Sequence, residues 1–207
     1  SQTAGLVPID LSTSLVDYAI FAGHKTLYGP FGIGGFICHE SAQLAPVLFG
    51  GNGINSVEQD MPKEIIQMSE VGSQNIYAIA GLKASTEWIL EKGVEVLFER
   101  EERTRANLLD LLTTFSNIEV INDRSGTQNI GVVSTLFKSY SPDDIEMILG
   151  KFNVAVRGGL HCSPYAHRFA RTLPSGTVRF SVGYFTDEKN LSQLEEALTA
   201  IKKEGGL

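Results

Sequence analysis

The sequence predicts an α/β chain in two parts, and three observations carry that expectation. Short apolar runs at Tyr18-Ala19-Ile20-Phe21 and from Ile33 to Cys38 have the make-up of strands, the first apolar enough for both faces to be buried. Helical spacing takes over at Ile76, Ile79, Ala80, Lys83 and Ala84, and Trp88 extends the stripe until Gly93 breaks it. Beyond Gly93 a second, longer helix leads into a renewed alternation of strands and helices. The expected division is residues 1–92 and residues 93–207, the second part opening on a connecting helix.

In order, Leu6 to Asp10 reads as extended, because Pro8 keeps Val7 out of the helical region. Asp10 to Ser14 offers caps for a short helix. Leu44 to Pro62, centred on Phe49-Gly50-Gly51-Asn52-Gly53, reads as a surface loop, with a backbone cradle for an anion as the alternative. A helix begins near Gln74 or Asn75. Just before it, Ser73 offers either a cap or a hydroxyl for an anion. The connecting helix runs from about Val94 to Leu112, with Val94, Leu97, Leu108, Leu109 and Leu112 on its apolar side. Its middle, Glu99 to Arg103, reads as solvated charge. Ile118 to Ile121 and Asn129 to Phe137 are strand-like. Ser141-Pro142-Asp143-Asp144 opens a helix that is expected to stop at Gly150, since it places a capping serine, a first-turn proline and an acid where each is favoured. Phe152 to Val156 and Thr177 to Val182 are further strands. The last helix follows Thr186 with Leu191, Leu194, Leu198 and Ile201 on one face. Strands with helices on one side are therefore expected for the second part.

Composition narrows the function. With 24 acidic against 17 basic residues the net charge is -7, which repels polyanions, so no nucleic-acid partner is expected. No apolar run approaches the ~20 residues that span a bilayer, and no signal peptide is visible, so no membrane partner is expected either. Two cysteines, Cys38 and Cys162, make no disulfide framework; a reducing cytoplasm is the default location. The chain does not begin with methionine, and we expect it to start inside a longer protein.

Three stretches could carry chemistry. In Gly23-His24-Lys25-Thr26-Leu27-Tyr28-Gly29-Pro30 a lysine sits in a tight turn at the end of a strand. That suits an amine delivered to a carbonyl cofactor, or a phosphate contact; an ordinary turn lysine is the plain alternative. In Arg157-Gly158-Gly159-Leu160-His161-Cys162-Ser163-Pro164 a strand ends in a loop that holds a thiol beside Arg157 and His161, two cations that would favour the thiolate. A buried structural cysteine is the alternative. His161, Cys162 and His167 supply three metal ligands at most, and no second cluster completes a site, so no metal is expected. In Thr177-Val178-Arg179-Phe180 an arginine interrupts an apolar strand and needs a carboxylate, from the protein or from a substrate.

With these residues in view, the chain resembles the class V aminotransferase family, and within it the cysteine desulfurases of the group that includes selenocysteine lyases. Gln2-Thr3-Ala4-Gly5, the lysine turn, Glu70-Val71-Gly72-Ser73-Gln74-Asn75, Arg157 to Cys162 and Thr177 to Ser181 match five family segments in order. The resemblance implies the PLP-dependent transferase fold type I. Residues 1–92 would be the C-terminal part of the large cofactor-binding α/β/α domain, and 93–207 the connector helix and small C-terminal α/β domain. It implies pyridoxal 5'-phosphate carried on Lys25, which also moves protons. His24 would contact the cofactor phosphate and Gln2 its phenolic oxygen, while Ser73 would reach the phosphate in the partner subunit of a homodimer. Arg179, helped by Arg157, would hold the carboxylate of L-cysteine or selenocysteine. Cys162 would take the sulfur as a persulfide, releasing alanine and feeding a sulfur-acceptor protein, as in iron-sulfur cluster supply.

The match has departures. Ala22 stands where a serine or threonine is common, and Ser73 stands for a threonine. The family segments that precede Gln2 are absent from this sequence. They include the phosphate-binding helix start, the histidine that stacks on the cofactor ring and the aspartate that pairs with its nitrogen. An incomplete enzyme that needs its N-terminal half is therefore expected. The rival readings are a selenocysteine lyase or another class V lyase and, in a different class, a non-catalytic complementing or dimerisation module.

Overall fold

The computed structural model describes residues 1–51, 53–54, 57–121 and 129–203. Their contacts fall into two compact units, Ser1–Val96 and Leu97–Leu207.

In the first unit β1 (Tyr18–Ala22) and β2 (Gly34–Cys38) pair antiparallel, with Tyr18 opposite Cys38 and Ala22 opposite Gly34. This ribbon is less buried than its apolar sequence implies, since Ile20 is 73% and Ile37 57% exposed. Leu6 is not extended: residues 3–6 form a turn in which Leu6 and Val7 both donate to the Thr3 carbonyl. Asp10 caps no helix. Its carboxylate accepts from the backbone and the hydroxyl of Ser12, a local turn that competes with helix and holds the Asp10 pKa down. The glycine-rich loop is irregular where described, and Asn52 lies outside the described residues. Two helices follow it, α1 (Ile65–Ser69) and α2 (Ile76–Lys92). The single-turn α1 is too short to show a periodic stripe in the sequence. In α2 the cap is Asn75, whose side chain accepts from the Ala78 N–H, and Gly93 ends the helix at φ 87°.

α3 (Val94–Thr113) lies mostly in the second unit. There β3 (Ile118–Ile121), β4 (Val132–Phe137) and β5 (Val178–Ser181) form one antiparallel sheet in that order. Alternation along β4 buries Val133, Thr135 and Phe137, and along β5 Val178 and Phe180. Onto that face pack Leu108 and Leu112 of α3, Ile145 and Leu149 of α4 (Pro142–Lys151), and Leu194, Leu198 and Ile201 of α6 (Glu188–Lys203). Helices thus cover one side of the sheet, and Arg179 stands on the other. The start of α4 is the expected capping box, with Ser141 and Asp144 each accepting from the other's backbone N–H. The helix runs through Gly150 to Lys151 rather than stopping there.

Two further expectations fail for identifiable reasons. Phe152 to Val156 is not a strand: Val154 N–H turns back to the Leu149 carbonyl, and pairing with β5 begins only at Arg157. The charged middle of α3 is not all solvated. Glu101 is buried, and its carboxylate accepts from Gly131 N–H at 2.6 Å where the chain enters β4. Burial raises the Glu101 pKa. Arg100 donates to the Tyr184 carbonyl at 2.6 Å and lies over that ring. Because truncation strands a buried donor, Glu101→Ala should lower stability by about 1–3 kcal/mol, and Glu101→Gln by less, in urea titrations. Equal stability of wild type and Glu101→Ala would contradict this anchoring role.

Candidate functional site

In the first unit the connection between β1 and β2 is closed at its base. Gly23 N–H donates to the Ile33 carbonyl, Gly29 N–H to Gly23, and Tyr28 N–H to Lys25, at 2.8–2.9 Å. A side chain at Gly29 would stand 2.9 Å from the Gly23 carbonyl, so the closure needs glycine there. Tyr28 is at φ 55° and meets the ring of Trp88 of α2 edge-on at 5.5 Å. The turn therefore holds its shape while Lys25 and His24 remain exposed, His24 stacked on Phe31 at 4.9 Å. Thr26 donates its hydroxyl to the Ala4 carbonyl at 2.8 Å, which brings the segment bearing Gln2 to the lysine turn. Ser73 lies on another segment, with Gly72 N–H bound to the Gly51 carbonyl. Since Asn75 provides the helix cap, the exposed Ser73 hydroxyl is not used for it.

In the second unit the structure brings Arg157, Cys162 and Arg179 together. Arg157 and Arg179 pair as antiparallel neighbours, with N–H···O distances of 3.2 and 2.8 Å. Thr177 N–H then donates to the Gly159 carbonyl at 3.1 Å. The chains approach so closely there that a Cβ at Gly176 would collide with the Gly159 carbonyl. The loop ends in two consecutive non-glycine residues at positive φ, His161 at 49° and Cys162 at 64°. Such conformations cost about 1–3 kcal/mol each and persist only when the surroundings enforce them. Here the ring nitrogen Nε2 of His161 binds the Thr177 hydroxyl at 3.0 Å, and Thr177 is buried on β5's approach. The thiol is left exposed, 3.6 Å from Nη2 of Arg157.

His161 does not serve the thiol as a cation. Burial, and then Arg179, His167 and Arg157, hold its pKa down to about 4, so the ring is neutral at pH 7. Sequence proximity to Cys162 suggested an electrostatic partner; only the fold reveals that the ring turns to Thr177. Arg179 Nε is buried and has no hydrogen-bond partner among the described residues. Burial, with Arg157 next, lowers the Arg179 pKa, yet a guanidinium stays charged at neutral pH. The carboxylate that an arginine in a strand demands is thus not met within the described residues. An anion between Arg179 and the thiol would meet it. His167 is buried, its Nδ1 bound to the Thr172 hydroxyl at 2.7 Å and its ring 5.5 Å from that of His161. Among the described residues no group of three or more His, Cys, Asp or Glu is placed to hold a metal, and no helix is long and apolar enough to cross a membrane.

The chain belongs to the class V aminotransferase family: residues 1–194 match Aminotransferase class-V. It is 29% identical over 208 residues to a probable cysteine desulfurase of Methanothermobacter thermautotrophicus, covering 97% of this chain and 51% of that protein. It is 27% identical over 207 residues to a cysteine desulfurase of Haloferax volcanii, covering 98% and 48%. Among solved structures, the apo cysteine desulfurase of Thermococcus onnurineus superposes with a TM-score of 0.88 at 24% identity, over 99% of this chain and 51% of that one. The cystine C-S lyase C-DES in complex with cysteine persulfide, its reaction product, gives 0.78 at 23% identity, over 95% and 50%. The chain thus has part of the PLP-dependent transferase fold type I and spans about half the length of the curated relatives it matches.

The neutral His161 sets a pH dependence. The unfolded chain takes up this proton near 6.5 and the folded chain only near 4, so between those values the unfolded state binds more protons. Stability should fall as the pH drops from 6.5 and carry its full penalty below 4. Denaturant midpoints measured across this range should fall less steeply in His161→Gln; identical slopes would contradict the assignment.

Proposed function

We propose that this chain supplies the substrate-holding and sulfur-accepting residues of a pyridoxal-phosphate-dependent cysteine desulfurase. The observation that carries this reading is the second-unit arrangement. An exposed thiol stands 3.6 Å from one guanidinium, on a loop laddered to a second guanidinium whose buried Nε has no partner among the described residues. The matched relatives named for this activity support it.

The residues of the first unit fit the cofactor by their donor chemistry. An exposed amine, Lys25, an exposed imidazole, His24, and the amide of Gln2 belong to one hydrogen-bonded turn and the segment tied to it. Lys25 would hold the cofactor's carbonyl carbon, His24 its phosphate and Gln2 its phenolic oxygen. Ser73 would serve the phosphate in the second copy of a homodimer. When bound, pyridoxal phosphate supplies an electron sink for bonds at the substrate's α and β carbons.

Arg179 would fix the substrate carboxylate by paired N–H···O bonds, and Arg157 would add positive charge beside the sulfur. The Cys162 sulfur attacks the sulfur of L-cysteine. The substrate's carbon–sulfur bond breaks, its electron pair stays with the carbon, and a proton delivered there completes the methyl group of alanine. Cys162 keeps the second sulfur as a persulfide, so that cysteine and a thiol become alanine and a persulfide. Lys25, an exposed amine, would move the protons. The persulfide then passes to an acceptor.

Mass spectrometry after incubation of the whole protein with L-cysteine should show one added sulfur on Cys162. Cys162→Ser should lower sulfur release by about 10³-fold or more while leaving cofactor absorbance intact. Arg179→Ala should cost about 2–5 kcal/mol of substrate recognition, read chiefly as a higher KM. Persulfide on another residue, or full activity in Cys162→Ser, would overturn this reading.

A further inference from the structure

The surface that follows Cys162 differs in charge from the rest of the chain. The net charge is -7, yet residues 147–186 contain no Asp or Glu, while Lys151, Arg157, Arg168, Arg171 and Arg179 all fall there. The nearest carboxylate in sequence, Glu146, is engaged by Gly158 N–H at 2.9 Å. Immediately after the thiol comes α5 (Pro164–Phe169), with Ser163 at the position before its first turn. Helical spacing of three and four residues puts Tyr165, Arg168 and Phe169 on one face. The other face carries His167, which is buried. Tyr165 is 81% and Phe169 79% exposed, and Arg168 and Arg171 are exposed too. Neither arginine has a carboxylate partner among the described residues. At about 1.5 Å rise per residue, the whole helix lies within roughly 10 Å of the thiol along its axis. Exposed aromatics with interleaved arginines are the composition of a protein-binding hot spot rather than of a solvated helix face.

We propose that the Tyr165–Arg168–Phe169 face, with Arg171, is the docking surface for the polypeptide that takes sulfur from Cys162, and that this partner presents its own thiol within an acidic, partly apolar segment. This rests on the desulfurase reading for its purpose. The charge pattern supplies the partner's chemistry: a cationic patch on an otherwise acidic chain attracts an acidic segment, while the chain's remaining net negative charge repels it. The aromatic pair supplies the apolar contact that holds it. In the transfer, the partner's thiolate attacks the outer sulfur of the persulfide. The sulfur–sulfur bond breaks with its electron pair on the Cys162 sulfur, and the persulfide moves to the partner. No outside oxidant or reductant is needed.

A thiol–disulfide exchange tests the docking without relying on desulfurase activity. In a Cys38→Ser background, Cys162 is converted to a neutral 2-thiopyridyl disulfide, and release of the thiopyridine is timed with two cysteine peptides of matched length, one Glu-rich and one Lys-rich. At low salt the Glu-rich peptide should react about 10-fold faster, and the ratio should shrink toward one at high salt. Arg168→Glu with Arg171→Glu should bring the low-salt ratio to one or below, and Tyr165→Ser with Phe169→Ser should weaken saturation by the acidic peptide. All four side chains are exposed, and circular dichroism checks that each variant is folded. Equal rates with the two peptides in the wild type would overturn the proposal. So would an unchanged ratio in the Arg168→Glu, Arg171→Glu variant, which would place the field at Arg157 and Arg179. Failure here leaves the desulfurase reading to the Cys162→Ser assay.

Discussion

Arg157 and Arg179 exchange both of their backbone hydrogen bonds, and the geometry around Cys162 depends on that pair. It carries the ladder of β5 beyond the regular sheet and ties the thiol loop to a strand whose other face is buried in the core. Val178 and Phe180, on either side of Arg179, point into that core, so Arg179 has no freedom to retreat. The next residues follow from this anchor. Thr177 takes the Gly159 carbonyl and the His161 ring, and the two left-handed residues place the Cys162 sulfur beside Arg157.

The same pair creates an electrostatic problem. Like charges on directly opposed residues destabilise a sheet, and Arg179 is partly withdrawn from water as well. A structural arginine would have recruited a carboxylate, as Glu101 and Gly131 recruit each other elsewhere in the unit. Here the described residues supply only a thiol. Natural sequences break local rules of this kind mainly where a ligand restores the balance. A neutral His161 fits the same logic, because a third cation under the loop would add to the repulsion.

Much of this was legible in the sequence, and the gaps have physical causes. The lysine turn was readable as a turn because its glycines allow the tight closure, Gly29 N–H onto the Gly23 carbonyl, that ends the strand. The capping box of α4 was readable because its residues act locally. Glu101 was misread because its partner, Gly131, lies 30 residues away and nothing in a run of charges marks the one that turns inward. The strand expected at Phe152 to Val156 failed because Val154 and Val156 pack against the core without pairing. Arg179 was singled out as an arginine in an apolar strand, but its pairing with Arg157 needed the fold. His161 beside Cys162 invited a wrong role, because sequence adjacency does not say which way a ring turns when the backbone is left-handed.

The paired arginines would thus make the Cys162 thiol a receptor for an anion, and this property underlies the rest. It is tested most directly by timing alkylation of Cys162 with iodoacetate, which is anionic, and with iodoacetamide, which is neutral, at low salt. The iodoacetate-to-iodoacetamide ratio should lie well above that of a small free thiol and fall back to it in Arg179→Gln. A ratio at Cys162 equal to that of the free thiol would contradict it.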